Sequence, residues 1–229
     1  MERRFFYHAF GVGLGGRITR PCCELIEAQA ATALPSVGGY ASSHVDGYRF
    51  RDIVSVRSAR SFAVGSQAED GSFNTSITVT VEGLNILGVI TAESITARLA
   101  SRHPKGIDEP VITAIGSEFR NLRIAGDLID VQIDHDLFFQ ERNHASFKDA
   151  GARLVPKENW LESASKGMVM TSLVKRYSIP VPSVGTVFLG EILASGYARR
   201  LTMVRVAMGS PVAGDLEVAS GEDNGSTYP

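Results

Sequence analysis

Phe73-Asn74-Thr75-Ser76-Ile77-Thr78-Val79-Thr80-Val81-Glu82 decides the fold. Phe73, Thr75, Ile77, Val79 and Val81 share one parity, and the polar Asn74, Ser76, Thr78, Thr80 and Glu82 share the other. Successive side chains of a strand point to opposite faces, so this alternation predicts a strand with one dry side and one wet side. Its Thr, Val and Ile content suits a pleated surface. Upstream, Val54, Val56, Phe62 and Val64 also fall on one parity, and Glu69-Asp70-Gly71-Ser72 lies between the two runs. Asp-Gly is turn chemistry because both residues tolerate positive φ. The reading is a long hairpin over 53–82 that turns at Asp70-Gly71.

Downstream, 83–90 is almost continuously apolar and reads as a strand buried on both faces, passing into an alternating stretch over 91–100 that Arg102-His103-Pro104-Lys105-Gly106 closes as a loop. Further strands are predicted at 111–119, 168–177, 186–193, 200–208 and 215–219, with a second hairpin over 121–134 turning at Gly126-Asp127. The segment 21–34 fits helix by composition, but its strand parity (Ile26, Ala28, Ala30, Thr32, Leu34) agrees with its β surroundings. Asp136 can cap one short helix over 136–150, ended by Gly151. The stretch 136–167 reads as an irregular insertion and 220–229 as a loose tail. The fold class expected is all-β: a β-sandwich-like single domain over 1–229 with long antiparallel hairpins, the alternatives being a β-solenoid or a barrel, since period two does not fix how sheets close.

At 229 residues with 44% hydrophobic and 21% charged residues, the chain can bury a large core without staples. A net charge of −2 supplies no overall field for nucleic acid or an anionic membrane. No apolar run approaches the ~18 residues of a spanning helix. The start, Met1 to His8, imitates a signal peptide for four residues, and Gly11, Gly13, Gly15, Gly16 and Arg17 then interrupt it. Cys22 and Cys23 are adjacent and read as packing residues, because a bridge between neighbours is strained.

The segment "VEGLNILGVITAESITARLA" (81–100), with "NLRIAGDLIDV" (121–131) and "GSPVAGDLEVASGEDNG" (209–225), resembles bacterial β-rich surface proteins of the choice-of-anchor type. The resemblance covers about a quarter of the chain. It implies a bacterial, extracellular, non-enzymatic β protein and brings no catalytic residues with it. The chain departs from that type in lacking a recognisable signal peptide and anchor tail.

Gly11-Val12-Gly13-Leu14-Gly15-Gly16 matches G-x-G-x-x-G. Pro21 sits where the helix of a dinucleotide site should be established, and β-α alternation is missing, so these glycines read as a strand that twists, bulges or packs closely against another backbone, and no cofactor is expected. Asp130, Asp134 and Asp136, with His135, are the densest set of hard-oxygen donors and the candidate metal site, though a wet strand end running into a helix cap explains them as well. Trp160, Phe138 and Phe139 are candidate platforms for a carbohydrate or other small ligand, and Arg49 and Arg51, interleaved with Tyr48 and Phe50, are candidate ligand contacts. His44 near Asp46 in a serine-rich stretch could contribute to a triad, but no G-x-S-x-G elbow exists. These observations point first to a structural or interaction protein that self-associates as a homo-oligomer through strand edges or sheet faces. A carbohydrate or small-ligand module, and an enzyme with a site scattered in sequence, are the alternatives.

Overall fold

The structure is a computed structural model and describes residues 4–105, 110–133, 152–155, 174–195, 198–223 and 226–228. The described chain runs through β1 (Arg4–Phe6), β2 (Ala9–Arg20), β3 (Glu24–Gln29), β4 (Thr32–Ala33), β5 (Gly39–Asp46), β6 (Arg49–Phe50), β7 (Val54–Ser55), β8 (Ser58–Gln67), β9 (Phe73–Ile86) and β10 (Ile90–His103). It continues through β11 (Val111–Thr113), β12 (Glu118–Arg120), β13 (Arg123–Ile124), β14 (Asp127–Leu128), β15 (Asp130–Ile133), β16 (Ala152–Val155), β17 (Val174–Val181), β18 (Gly185–Ser195), β19 (Ala198–Met208), β20 (Ala213–Asp223) and β21 (Ser226–Tyr228). Among the described residues there is no helix, and so none long and apolar enough to cross a membrane. The helix predicted over 136–150 lies outside them.

The protein is all-β and forms a sandwich of two open antiparallel sheets. In the first, β5, β8, β9 and β10 lie side by side, with β11, β12 and β13 taking turns along the far edge of β10. In the second, the order is β17-β18-β19-β20-β2-β3, with β4 also on β2. Neither sheet closes on itself, so the solenoid and barrel alternatives give way to the sandwich. Strands β2, β19 and β20 face β8, β9 and β10, and the buried side chains of both sheets join in one cluster.

The predicted 53–82 hairpin is present: β8 and β9 pair from Ser58↔Glu82 to Gln67↔Phe73. Its turn is held by Asp70, whose Oδ1 accepts from the Ser72 hydroxyl (2.6 Å) and amide (2.9 Å), and whose other oxygen takes Arg102. These contacts, the Ser72 hydroxyl foremost, pull the Asp70 carboxyl down to about 2. In β9 the expected faces hold: Thr75, Ile77, Val79 and Val81 are buried. In β8 they do not. Ala59, Ser61 and Ala63 point inward while Phe62 is 47% exposed.

The reason is a crease. In the first sheet Arg57, Gly83 and Glu93 lie level with one another, and the residues on either side keep register while these three drop out of the regular ladder, the Arg57 amide donating instead to the Glu82 carbonyl (2.8 Å). Each strand spends one extra residue there, so the inward parity switches from Ala59, Val81 and Ile95 to Val56, Leu84 and Ala92. This is a bulge carried across neighbouring strands. The second sheet repeats it at Gly190, Met203, Ala219 and Gly13. Gly83 (φ 62°), Gly190 (φ 58°) and Ala219 (φ 51°) are left-handed at these points. Extending the parity of Val54 and Val56 through Arg57 therefore put the wrong side of β8 inward.

Other expectations are corrected by the turns. The run 83–90 is not one buried strand, because the chain reverses at Leu87-Gly88, where the Asn85 side chain accepts the Gly88 amide (2.8 Å). The strand at 111–119 breaks at Ile115-Gly116, and the second hairpin turns at Ala125-Gly126, one residue early. Ala152–Val155, within the stretch read as irregular, pairs with β15. The tail is not loose at its start: β20 runs to Asp223, and Ser226–Tyr228 pairs with β1. Segment 21–34 is β, with Ile26, Ala30, Thr32 and Leu34 inward, but Ala28 is exposed.

The glycine run is the middle of β2 and explains how closely the sheets approach. A Cβ on Gly11 would stand 2.7 Å from Val79 Cγ2, and one on Gly13 would stand 2.8 Å from Ala59 Cβ and 3.1 Å from the Gln29 carbonyl oxygen. Gly13→Val is expected to force the sheets apart and cost about 2–4 kcal/mol, as overpacking of a dense core does. Urea unfolding would measure it, and an unchanged midpoint would contradict this packing.

Candidate functional site

The outer face of the first sheet carries a candidate binding surface. Val64, Ser76, Ala100 and Thr113 form one row across β8, β9, β10 and β11, and Ser66, Asn74, Arg102 and Val111 form the next. Because all of these outward side chains but Arg102 are short or medium in length, the rows sink into a shallow trough of about 300 Å³. Toward the crease the face continues with Phe62, Thr78 and Arg98, then Arg60, Thr80 and Thr96, whose two threonine hydroxyls are 3.3 Å apart. Beside it, β5 adds Tyr40, Ser42, His44 and Asp46 to the same side. Tyr40 is 74% exposed and stands next to Val64. Such a face offers hydroxyls, two aromatic rings and the charges of Arg60, Arg98, Arg102 and Asp46, which together can meet both polar and apolar groups of another surface.

Strand β5 is the free edge of this sheet. It pairs with β8 over all eight residues and with no other described strand. It carries no proline, lysine or arginine. The other long edges are blunted. In β17, Pro180 and a register shift between Lys175 and Tyr177 interrupt the ladder. The β3 edge has its own register shift against β2, and its Glu24 is ion-paired to Arg51. The far edge of β10 is broken into three pieces.

Directly behind the trough lies a buried polar cluster. Thr75, Ser101 and His103 point inward from β9 and β10, and Asp223 meets them from β20. The Ser101 hydroxyl donates to Asp223 Oδ1 at 2.9 Å. Burial pushes the Asp223 carboxyl up to about 7, against the pull of the Ser101 hydrogen bond and of the His8 charge. Phe5 caps the cluster, stacked on Phe73 with centroids 4.3 Å apart and edge-on to His103 and Tyr7 at 4.8 Å. His8 Nε2 lies 3.5 Å from Glu222 Oε1, and their hydrogen bond raises the histidine and lowers the glutamate. Ser101, His103 and Asp223 are the residue types of a hydrolytic triad, but the serine bonds the aspartate directly and all three are sealed from solvent, so the arrangement locks two sheets together.

The residues singled out in the sequence are scattered. Arg49 donates to the Arg51 carbonyl (2.9 Å) and pairs with Asp52, Arg51 pairs with Glu24, and Arg57 lies 3.4 Å from Glu82. The arginines are thus neutralised one by one and form no basic patch. Asp130 is exposed at the start of β15, opposite Val155, and no group of three or more metal-ligating side chains occurs among the described residues. Asp134, Asp136, Phe138, Phe139 and Trp160 lie outside them. His44 Nε2 is 3.5 Å from Asp46 Oδ2, both exposed on β5. Cys22 packs against the core as expected, whereas Cys23 is exposed, with Arg17 Nη2 3.5 Å from its sulfur. Sequence reasoning missed Ser101, His103 and Asp223, although the odd parity of Ser101 and His103 with Leu99 was a visible signal.

No curated protein and no solved structure matches the chain. A family model described as a domain of unknown function (DUF8256) matches residues 5–166, more than half of the sequence, and the chain belongs to that family.

Proposed function

We propose that this chain is a non-enzymatic structural or interaction protein that self-associates through its first sheet. The observation that carries this reading is β5: a long, regular, unprotected edge on a protein whose other long edges are interrupted. Free edges template further strands, and soluble proteins ordinarily block them with proline, lysine or bulges. The surface placement implied by the choice-of-anchor resemblance fits an assembling role. Size-exclusion chromatography with light scattering, from micromolar to near-millimolar protein, is the test. The expected result is a mass of two or more chains that falls on dilution; a monomer throughout would overturn the reading. The trough beside Tyr40 favours one second reading, a carbohydrate site, and a strictly monomeric protein that binds a glycan panel would put it in first place.

A further inference from the structure

We infer that two copies join β5 to β5, antiparallel, about a two-fold axis through Ser43. This rests on the self-association proposed above and names its partner and register. In an antiparallel pair, directly opposed residues point to the same side. For the outer face of one copy to continue as the outer face of the other, each outward residue must oppose an outward residue, which requires a two-fold centred on a residue.

Centred on Ser43, the register opposes Tyr40 to Asp46 of the second copy and Ser42 to His44 of the second copy, each twice, while Ala41 opposes Val45 on the inner side. Each outward pair then joins a donor to an acceptor: the tyrosine hydroxyl to a carboxylate, and the serine hydroxyl to an imidazole. No charge faces its like. A centre on His44 would set the two imidazoles against each other. A centre on Ala41 would leave both His44 and Asp46 beyond the paired stretch. The Ser43 register also uses the strand's regular length, stopping short of Gly39 (φ 102°), where the backbone leaves the ordinary strand region. The result is one sheet running through both copies, with the two troughs on the same side.

Cysteine cross-linking tests the register. In a Cys22→Ser, Cys23→Ser background, the Ser43→Cys side chains of two copies would oppose each other with Cα atoms about 4.5–5.5 Å apart, inside disulfide reach. Ser42→Cys side chains would be diagonal neighbours about 7–8 Å apart. Mild oxidation of folded protein, verified by circular dichroism, is expected to yield several-fold more covalent dimer with Ser43→Cys than with Ser42→Cys or His44→Cys. A dimer in light scattering that cross-links preferentially through Ser42→Cys or His44→Cys, or through none of the three, overturns this register while leaving self-association standing. A monomer in light scattering overturns both. Ser42→Lys, which puts an exposed cation opposite His44 of the second copy, is expected to weaken the dimer about tenfold or more, and unchanged dimerisation would count against the β5 edge.

Discussion

Asp223→Asn is expected to make the protein more stable than the natural chain at pH 8 and to remove most of its pH dependence between about pH 4 and 8. The carboxyl titrates near 3.8 when exposed and near 7 when folded. Between those values the folded state holds a proton that the unfolded state has lost, so stability falls as pH rises through the window and the loss is complete above pH 7. Three units correspond to about 4 kcal/mol at most, at 1.36 kcal/mol each. For a chain of this size that corresponds to a shift in melting temperature of up to about 8–16 °C. The asparagine oxygen still accepts from Ser101, and no charge has to be buried. The surroundings reinforce the sign. His8 is raised by Glu222, so its cation, which offsets the Asp223 charge, is also lost as pH rises. Glu222 is lowered, so its contribution fails only in acid. Arg199 opposes Asp223 in register, and His103 is the other titratable group on the inner side of β10 here. Melting curves of both proteins from pH 4 to 9 would measure the effect. A natural chain whose stability rises toward pH 8, in parallel with Asp223→Asn, would contradict it.

The second large effect concerns where the folding unit ends. The segment matched by the family model stops at residue 166, but β17 to β20 lie beyond it, and β20 is hydrogen-bonded along β2 in the middle of the second sheet. Cutting the chain there would leave β2 with only β3 and β4, and would strip β20 from β9 and β10, uncovering buried side chains such as Ile77, which meets Gly221. Each such side chain loses about 1.5–3 kcal/mol when exposed, against a total stability for most domains of about 5–15 kcal/mol. Residues 1–166 produced alone are expected to be insoluble or to unfold without a cooperative transition. A soluble fragment melting cooperatively, with the far-ultraviolet spectrum of a β protein, would show that the first sheet finds its own cover.

The alternation in β9 was legible because its inner residues are branched and apolar and its outer ones hydroxylated, which is the pattern a one-sided sheet imposes. The β8 faces were not legible, because small residues such as Ala59 and Ala63 are inward there. Opposite them the glycines of β2 leave little room, and the exposed Phe62 carried the larger hydrophobic signal. The Leu87-Gly88 reversal was hidden for another reason. Its stabilising group is the Asn85 side chain, two residues before the turn, inside a run that otherwise looks like buried strand. The buried cluster escaped because Ser101 and Asp223, 122 positions apart, declare themselves only once the sheets are stacked. The free edge could not be read at all, since which strand is left without a neighbour is a property of topology and not of the eight residues in β5.

The paired creases also bear on how such a chain tolerates change in length. A single residue added beside Gly83 would displace one strand against two neighbours that both keep step with it, and undoing the damage would need simultaneous additions near Arg57 and Glu93. Growth or shrinkage at the 68–72 turn carries no such demand. Changes in chain length are therefore tolerated best at the loop tips, while the spacing from each crease to the strand ends has to be kept for both sheets to stay in step.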